Sequence, residues 1–135
     1  MSLCKMNNLS DWAFFILRLI VAAIFIYHGH QKWGMLTSSP AQMAPTMLYL
    51  FRFLAIAEPL AGAALIIGLW TQAAAIGLCL VMISAIYFKS VVNGGGFSGQ
   101  GGWEFELSLL GACLVLATYG AGKLSCDSCK CGKKK

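Results

Sequence analysis

The sequence predicts an all-α fold, an integral membrane bundle of four helices, and three observations predict it. The 135-residue chain is 59% hydrophobic and 11% charged, whereas a soluble domain carries about 25% charged residues. Four apolar runs approach the roughly 20 residues a helix needs to cross about 30 Å of hydrocarbon at about 1.5 Å per residue. Trp12, Trp33, Trp70 and Trp103 fall close to the ends of those runs, where an indole ring sits between lipid and water. In lipid each span must satisfy its own backbone hydrogen bonds, which selects helices.

The first span runs from about Trp12 to Trp33 and holds Arg18, His28, His30 and Lys32. Lys5 precedes it as in a secretory signal, but no small-residue cleavage site ends the run, which continues into HGHQKW. A retained anchor is expected. A polar loop, Gly34 to Pro45, follows. The second span, about Leu48 to Trp70, contains Arg52, Glu58 and Pro59. The third, Thr71 to about Val92, holds one charge, Lys89. Almost nothing separates these two spans, so they form a tight helical hairpin. The run NGGGFSGQGG from Asn93 to Gly102 is a glycine-rich loop. The fourth span, about Trp103 to Tyr119, enters through Glu104 and Glu106. The chain thus divides into an N-terminal segment 1–11, a membrane domain 12–122 and a Cys- and Lys-rich tail 123–135.

The formal charge is +5, with ten basic residues. Lys123, Lys130, Lys133, Lys134 and Lys135 all lie in the tail, beside the last span rather than spread over a face. That pattern fits anionic lipid on the cytoplasmic side and argues against nucleic acid as a partner. Four spans return both termini to one side, and Lys5 with the tail assigns that side to the cytoplasm.

Helical periodicity sorts the polar residues by face. On the first span Arg18, Ala22, Phe25, Gly29 and Lys32 share a sector, with His28 at its edge and His30 opposite. HGH is therefore no ready-made metal pair, because helical ligand pairs are spaced i, i+4. On the second span Ala55, Glu58, Ala61, Gly62 and Leu65 form a stripe of mostly small residues, which lets helices approach closely. Pro59 removes a donor and frees the carbonyl of Ala55 beside the acid. On the fourth span Glu104, Ser108, Gly111, Val115 and Thr118 share a face expected to point inward, leaving Glu106 outside. His28, Lys32, Glu58, Lys89 and Glu104 then gather in the outer half of the bundle, and Arg18 lies deeper. An uncompensated charge at the bilayer centre costs at least about 2.5–3.5 kcal/mol, so these groups pair, neutralise or line a wet cavity. The candidate polar or ligand site is Arg18, His28, Lys32, Glu58 and Glu104. Glu58 reads equally as a tie to a basic residue and as a proton-carrying acid.

Cys79 and Cys113 fall inside spans, where cysteine serves as a small apolar filler. Cys126, Cys129 and Cys131 form a C-x-x-C-x-C tail, with Cys4 on the same side of the membrane. Free thiols are the leading expectation. A zinc or iron–sulfur site and disulfide exchange are the alternatives.

Arg18 followed by IFIYHGHQK (24–32), AEPLAGAALIIGLWTQ (57–72), a glycine-rich loop and GGWEFELSLL (101–110) resembles the DoxX/DoxD-like membrane proteins over about residues 12–125. The resemblance implies a four-helix inner-membrane protein, with relatives that include quinone-linked thiosulfate oxidoreductase subunits and membrane partners of redox enzymes. It maps the family's polar positions onto Arg18, His28, Lys32, Glu58 and Glu104. The cysteine-rich tail lies outside that pattern.

The leading functional expectation is a subunit or partner of a membrane redox system that binds a quinone: His28 or Lys32 hydrogen-bonds a carbonyl and Glu58 or Glu104 supplies a proton. No pair of histidines on facing helices is visible, so haem is not expected. The alternatives are a non-catalytic membrane anchor or assembly factor that recruits a soluble partner, and a small transporter, which four short spans could form only as a homo-oligomer. Whether the chain is itself an enzyme is left open by the sequence.

Overall fold

The computed structural model describes residues 3–38, 41, 43–122 and 125–127, and every described regular element is helical. Helix α1 spans Leu3–Gln31, α2 is a single turn at Gly34–Thr37, α3 spans Pro45–Ile67, α4 spans Thr71–Tyr87 and α5 spans Glu104–Tyr119. A π-helical turn, Phe88–Val92, extends α4. Three segments are long and apolar enough to cross a membrane: Leu9–Thr37, Pro45–Ile67 and Thr71–Val92. Helix α5 has 16 residues and rises about 24 Å, less than the hydrocarbon thickness.

Each boundary has a local cause. Pro45 begins α3 at its first turn, where its missing N–H is unneeded and its fixed φ suits the helix. Gly68 ends α3 in the left-handed region, φ 70°. The N–H of Gly68 and that of Leu69 both return to the carbonyl of Ala64, a glycine-dependent stop. This stop reverses the chain within three residues and produces the expected α3–α4 hairpin. Trp70 also takes a positive φ, 50°, and is held there from outside its own segment. The Asp127 carboxylate accepts from the Trp70 N–H and the Thr71 N–H, both at 2.9 Å, and the Asp127 N–H donates to Gly68. The chain after α5 thus returns to cap α4 at its electropositive end. The loop after Trp33 differs from expectation by containing α2, and the second long helix begins at Pro45 rather than at about Leu48.

Helix α1 packs chiefly on α3 and α4 chiefly on α5, and thinner seams join the two pairs. One core runs through all four long helices, with Phe25 from α1, Leu65 from α3, Leu78 and Met82 from α4, and Leu109 and Leu116 from α5. The exterior is just as apolar: Ile20, Phe53, Leu60, Leu80 and Leu114 are each about half or more exposed. Contiguous apolar surface of this kind needs lipid around it. The chain is a helical membrane protein. The N-terminal half of α1, the α3–α4 turn and the end of α5 share one end of the bundle, as the Phe14–Tyr119 ring contact and the Asp127 cap require.

Candidate functional site

Helices α1 and α3 cross closely because two glycines allow it. A Cβ on Gly29 would overlap the Pro59 ring, and one on Gly62 would stand 2.7 Å from Ile26. Arg18, Ala22, Phe25 and Gly29 of α1 and Ala55, Glu58, Gly62 and Leu65 of α3, which the sequence periodicity turned inward, are buried, and Val21, outside that set, is buried with them. One turn above Gly29, Lys32 reaches the Glu58 carboxylate, Nζ to Oε2 2.5 Å, with the acid's side chain 3% exposed and the lysine's 19%. The Trp33 indole N–H donates to the Ala55 carbonyl at 3.1 Å, the acceptor that Pro59 strips of its helical donor. Proline, glycine, lysine and tryptophan together satisfy the polar groups around Glu58.

Lys32 occupies one oxygen of Glu58, and no described residue hydrogen-bonds the other, Oε1. Glu58 lines a groove of about 180 Å³ between α3 and α4, formed otherwise by Phe53, Ala57, Ala61, Ala73, Ala74, Gly77, Leu78 and Val81. Small side chains make the space, and Gly77 has no atom within 4 Å of where its Cβ would stand. Phe53, Ala73 and Gly77 are exposed, so the groove opens to the bundle's surface. A single carboxylate oxygen in an otherwise apolar cleft suits a flat, mostly apolar molecule with one hydroxyl or carbonyl.

A second ion pair joins α4 to α5. Lys89, in the π-helical turn, contacts Glu106 at 2.6 Å and donates to the Gly102 carbonyl at 3.3 Å. Glu106 is 8% exposed and its Oε2 has no partner. Here the expected facing of the fourth helix is corrected. Glu104, Ser108, Gly111, Val115 and Thr118 do share a face, but that face is exposed, and Glu106, Leu109, Cys113 and Leu116 point inward. The apolar stripe at i, i+3, i+7 and i+10 outweighs the small-residue stripe, and Lys89 supplies the cation that makes burial of Glu106 tolerable. Glu106 therefore takes the place expected of Glu104.

The remaining candidates lie elsewhere. Arg18, 1% exposed, donates to the Ala121 carbonyl at 2.6 Å and to Ile66 at 3.4 Å, at the end of the bundle that carries the termini. Its Nε has no partner. His28 is half-buried on the α1–α5 seam against Phe105, 5.9 Å between rings, and so does not reach the α3–α4 groove. His30 is exposed and stacks on Trp33. Arg52 donates to the Met35 carbonyl at 2.9 Å. Among the described residues no group of three His, Cys, Asp or Glu side chains converges as a metal site, and Cys126 is exposed. Cys129, Cys131, the terminal lysines and the Cys4 side chain lie outside the described residues.

Two signals in the sequence were missed: Trp33 as the partner of the freed carbonyl, and Glu106. The first was available, since an indole one turn beyond Gly29 lies level with the Pro59 kink.

Comparison with curated proteins and with solved structures gave no match. The model of the DoxX family matches residues 13–90, which take in α1 from residue 13 onward, α3 and α4 and include Arg18, His28, Lys32, Glu58 and Lys89. With more than half of its length matched in this way, the chain belongs to the DoxX family.

Proposed function

We propose that this protein is a membrane subunit or partner of a quinone-linked redox system, and that the quinone ring docks in the α3–α4 groove against Glu58. The observation that carries this reading is the Glu58 carboxylate, one oxygen of it held by Lys32, at the wall of an otherwise apolar groove of about 180 Å³ that opens outward. A quinone supplies two-electron, two-proton chemistry. Glu58 accepts a hydrogen bond from the quinol hydroxyl and is placed to take its proton. Lys32 fixes the carboxylate's orientation and balances its charge, and Phe53 and Leu78 flank the ring. The bundle lies in the inner membrane with both termini cytoplasmic, so the groove is reached from lipid, where a quinone is dissolved.

Titration of the purified protein with a short-tailed ubiquinone, followed by quenching of tryptophan fluorescence, tests this. Saturable quenching is expected for the wild type. It should be lost in Gly77→Leu, which fills the groove from a position with open space around it, and retained in His28→Ala, on the other seam. Equal quenching in Gly77→Leu and wild type refutes the reading.

One observation favours a second reading, a non-catalytic anchor: each lysine inside the bundle is already tied to an acid on a neighbouring helix. Such ties fix helix register. A soluble partner retained on pull-down, from a protein that binds no quinone, would support it.

A further inference from the structure

Helix α5 stops short, and a cavity lies where a longer helix would continue. Its 16 residues rise about 24 Å, and Gly120 ends them at φ 76°, ψ −157°. From there the chain turns aside and brings Asp127 to the start of α4. A cavity of about 480 Å³ lies between the two helix ends, with Trp70, Thr71, Gln72, Tyr119 and Asp127 in its walls. It is separate from the Glu58 groove, and only Ala73 borders both. Three features fix the chemistry of its occupant. The mouth lies at headgroup depth: Trp70 and Tyr119 are 73% and 76% exposed, and the exposed Trp12 is at the same end of the bundle. Such rings settle where lipid meets water. Among the described residues the lining holds one acid, Asp127, and no basic side chain; Arg18 binds the Ala121 carbonyl from the bundle side without lining the cavity. Thr71 in the wall is fully buried, and its hydroxyl has no partner among the described residues. Buried polar groups are nearly always hydrogen-bonded, so this hydroxyl marks the place of a missing ligand atom.

We propose that this cavity binds the headgroup of a phospholipid that carries a primary amine. The ammonium calls for a carboxylate and aromatic faces, which Asp127, Trp70 and Tyr119 supply. The phosphate calls for hydrogen-bond donors, which the Thr71 hydroxyl and the exposed Gln72 amide supply. The acyl chains then run along the exposed Ile76 and Val115, each one helical turn from Gln72 and Tyr119 respectively. A choline headgroup has no N–H to donate, and a glycerol headgroup has no cation to set against Asp127. The site is independent of the quinone reading.

The test places the full chain in vesicles of equal parts phosphatidylethanolamine, phosphatidylcholine and phosphatidylglycerol. The protein is extracted in mild detergent and washed in salt that screens the tail lysines, and its retained lipid is identified by native mass spectrometry. Wild type should keep phosphatidylethanolamine enriched about tenfold over either competitor, the worth of one charge-assisted hydrogen bond. Asp127→Asn, which keeps an acceptor for the α4 N–H groups, should bring the ethanolamine and choline lipids to parity. Thr71→Val, close in shape at a buried position, should lower retention of phospholipid without loss of helical circular dichroism. Gln72→Leu, at an exposed position where folding is not at stake, should do the same. Retention without ethanolamine enrichment, or no retained lipid, overturns the proposal. Enrichment that survives unchanged in both Asp127→Asn and Gln72→Leu overturns it as well, by placing the lipid elsewhere.

Discussion

Removing Lys32 should destabilise the bundle more than removing Glu58, although the two form one ion pair. Lys32→Met leaves a carboxylate whose side chain is 3% exposed with no counter-ion. Stripping one partner from a buried pair costs about 3–5 kcal/mol. Glu58→Gln keeps the shape and a hydrogen-bond acceptor, and leaves an ammonium on a side chain 19% exposed whose stem can carry it toward water. That loss should be nearer the worth of a hydrogen bond to a charged group, about 1.5–3 kcal/mol. In the double variant Lys32→Met/Glu58→Gln no charge is stranded, so its cost should fall below the sum of the single losses by about 1–3 kcal/mol. The assay is reversible unfolding in mixed detergent micelles, followed by circular dichroism for all four proteins. Additive losses, each under about 1 kcal/mol, would mark the pair as a surface contact and refute the assignment of Glu58 to a buried interhelical tie.

Four further outcomes are expected. Gly29→Val should lower stability by about 1–3 kcal/mol, since a Cβ there meets the Pro59 ring and overpacks the α1–α3 crossing; the same unfolding assay reads it. Trp33→Phe should cost about 1 kcal/mol beyond its lost packing by leaving the Ala55 carbonyl without a donor, and Ala55→Leu is not a substitute because it fills the same interface. Asp127→Ala should lose the cap on α4, about 1 kcal/mol, seen as faster amide exchange at Trp70 and Thr71 without change in the α1–α3 pair. Glu106→Leu should strand Lys89 and lower stability, whereas Glu104→Leu, on the exposed face, should leave it within about 0.5 kcal/mol of wild type.

The inward faces of α1 and α3 were legible because they are written in the spacing of polar and small residues. Arg18, Ala22, Phe25 and Gly29, and likewise Ala55, Glu58 and Gly62, recur at helical intervals, and each set proves buried. The α3–α4 hairpin was legible because almost nothing separates two apolar runs, and the glycine-rich loop because glycine's backbone freedom disfavours a helix; the Gly68 stop that makes the turn was not singled out. The fourth helix was misjudged because small residues mark close approach only where another helix is present. Gly111 has nothing within 4 Å of its Cβ position, so its smallness serves no contact there. The choice between Glu104 and Glu106 depended on where Lys89 points, and the π-helical turn at Phe88–Val92 shifts that direction without a sequence signal. The Asp127 cap joins residues far apart in the chain, and helical periodicity within one span carries no information about such a pair.

The most direct test of the account is photolabelling of the membrane-embedded protein with an azido-quinone, followed by peptide mapping. Label is expected on the α3 segment 53–61 and the α4 segment 73–81, and should disappear in Gly77→Leu. Label concentrated on the α1–α5 seam around His28 and Phe105, or undiminished by Gly77→Leu, would contradict the assignment of the quinone to the Glu58 groove.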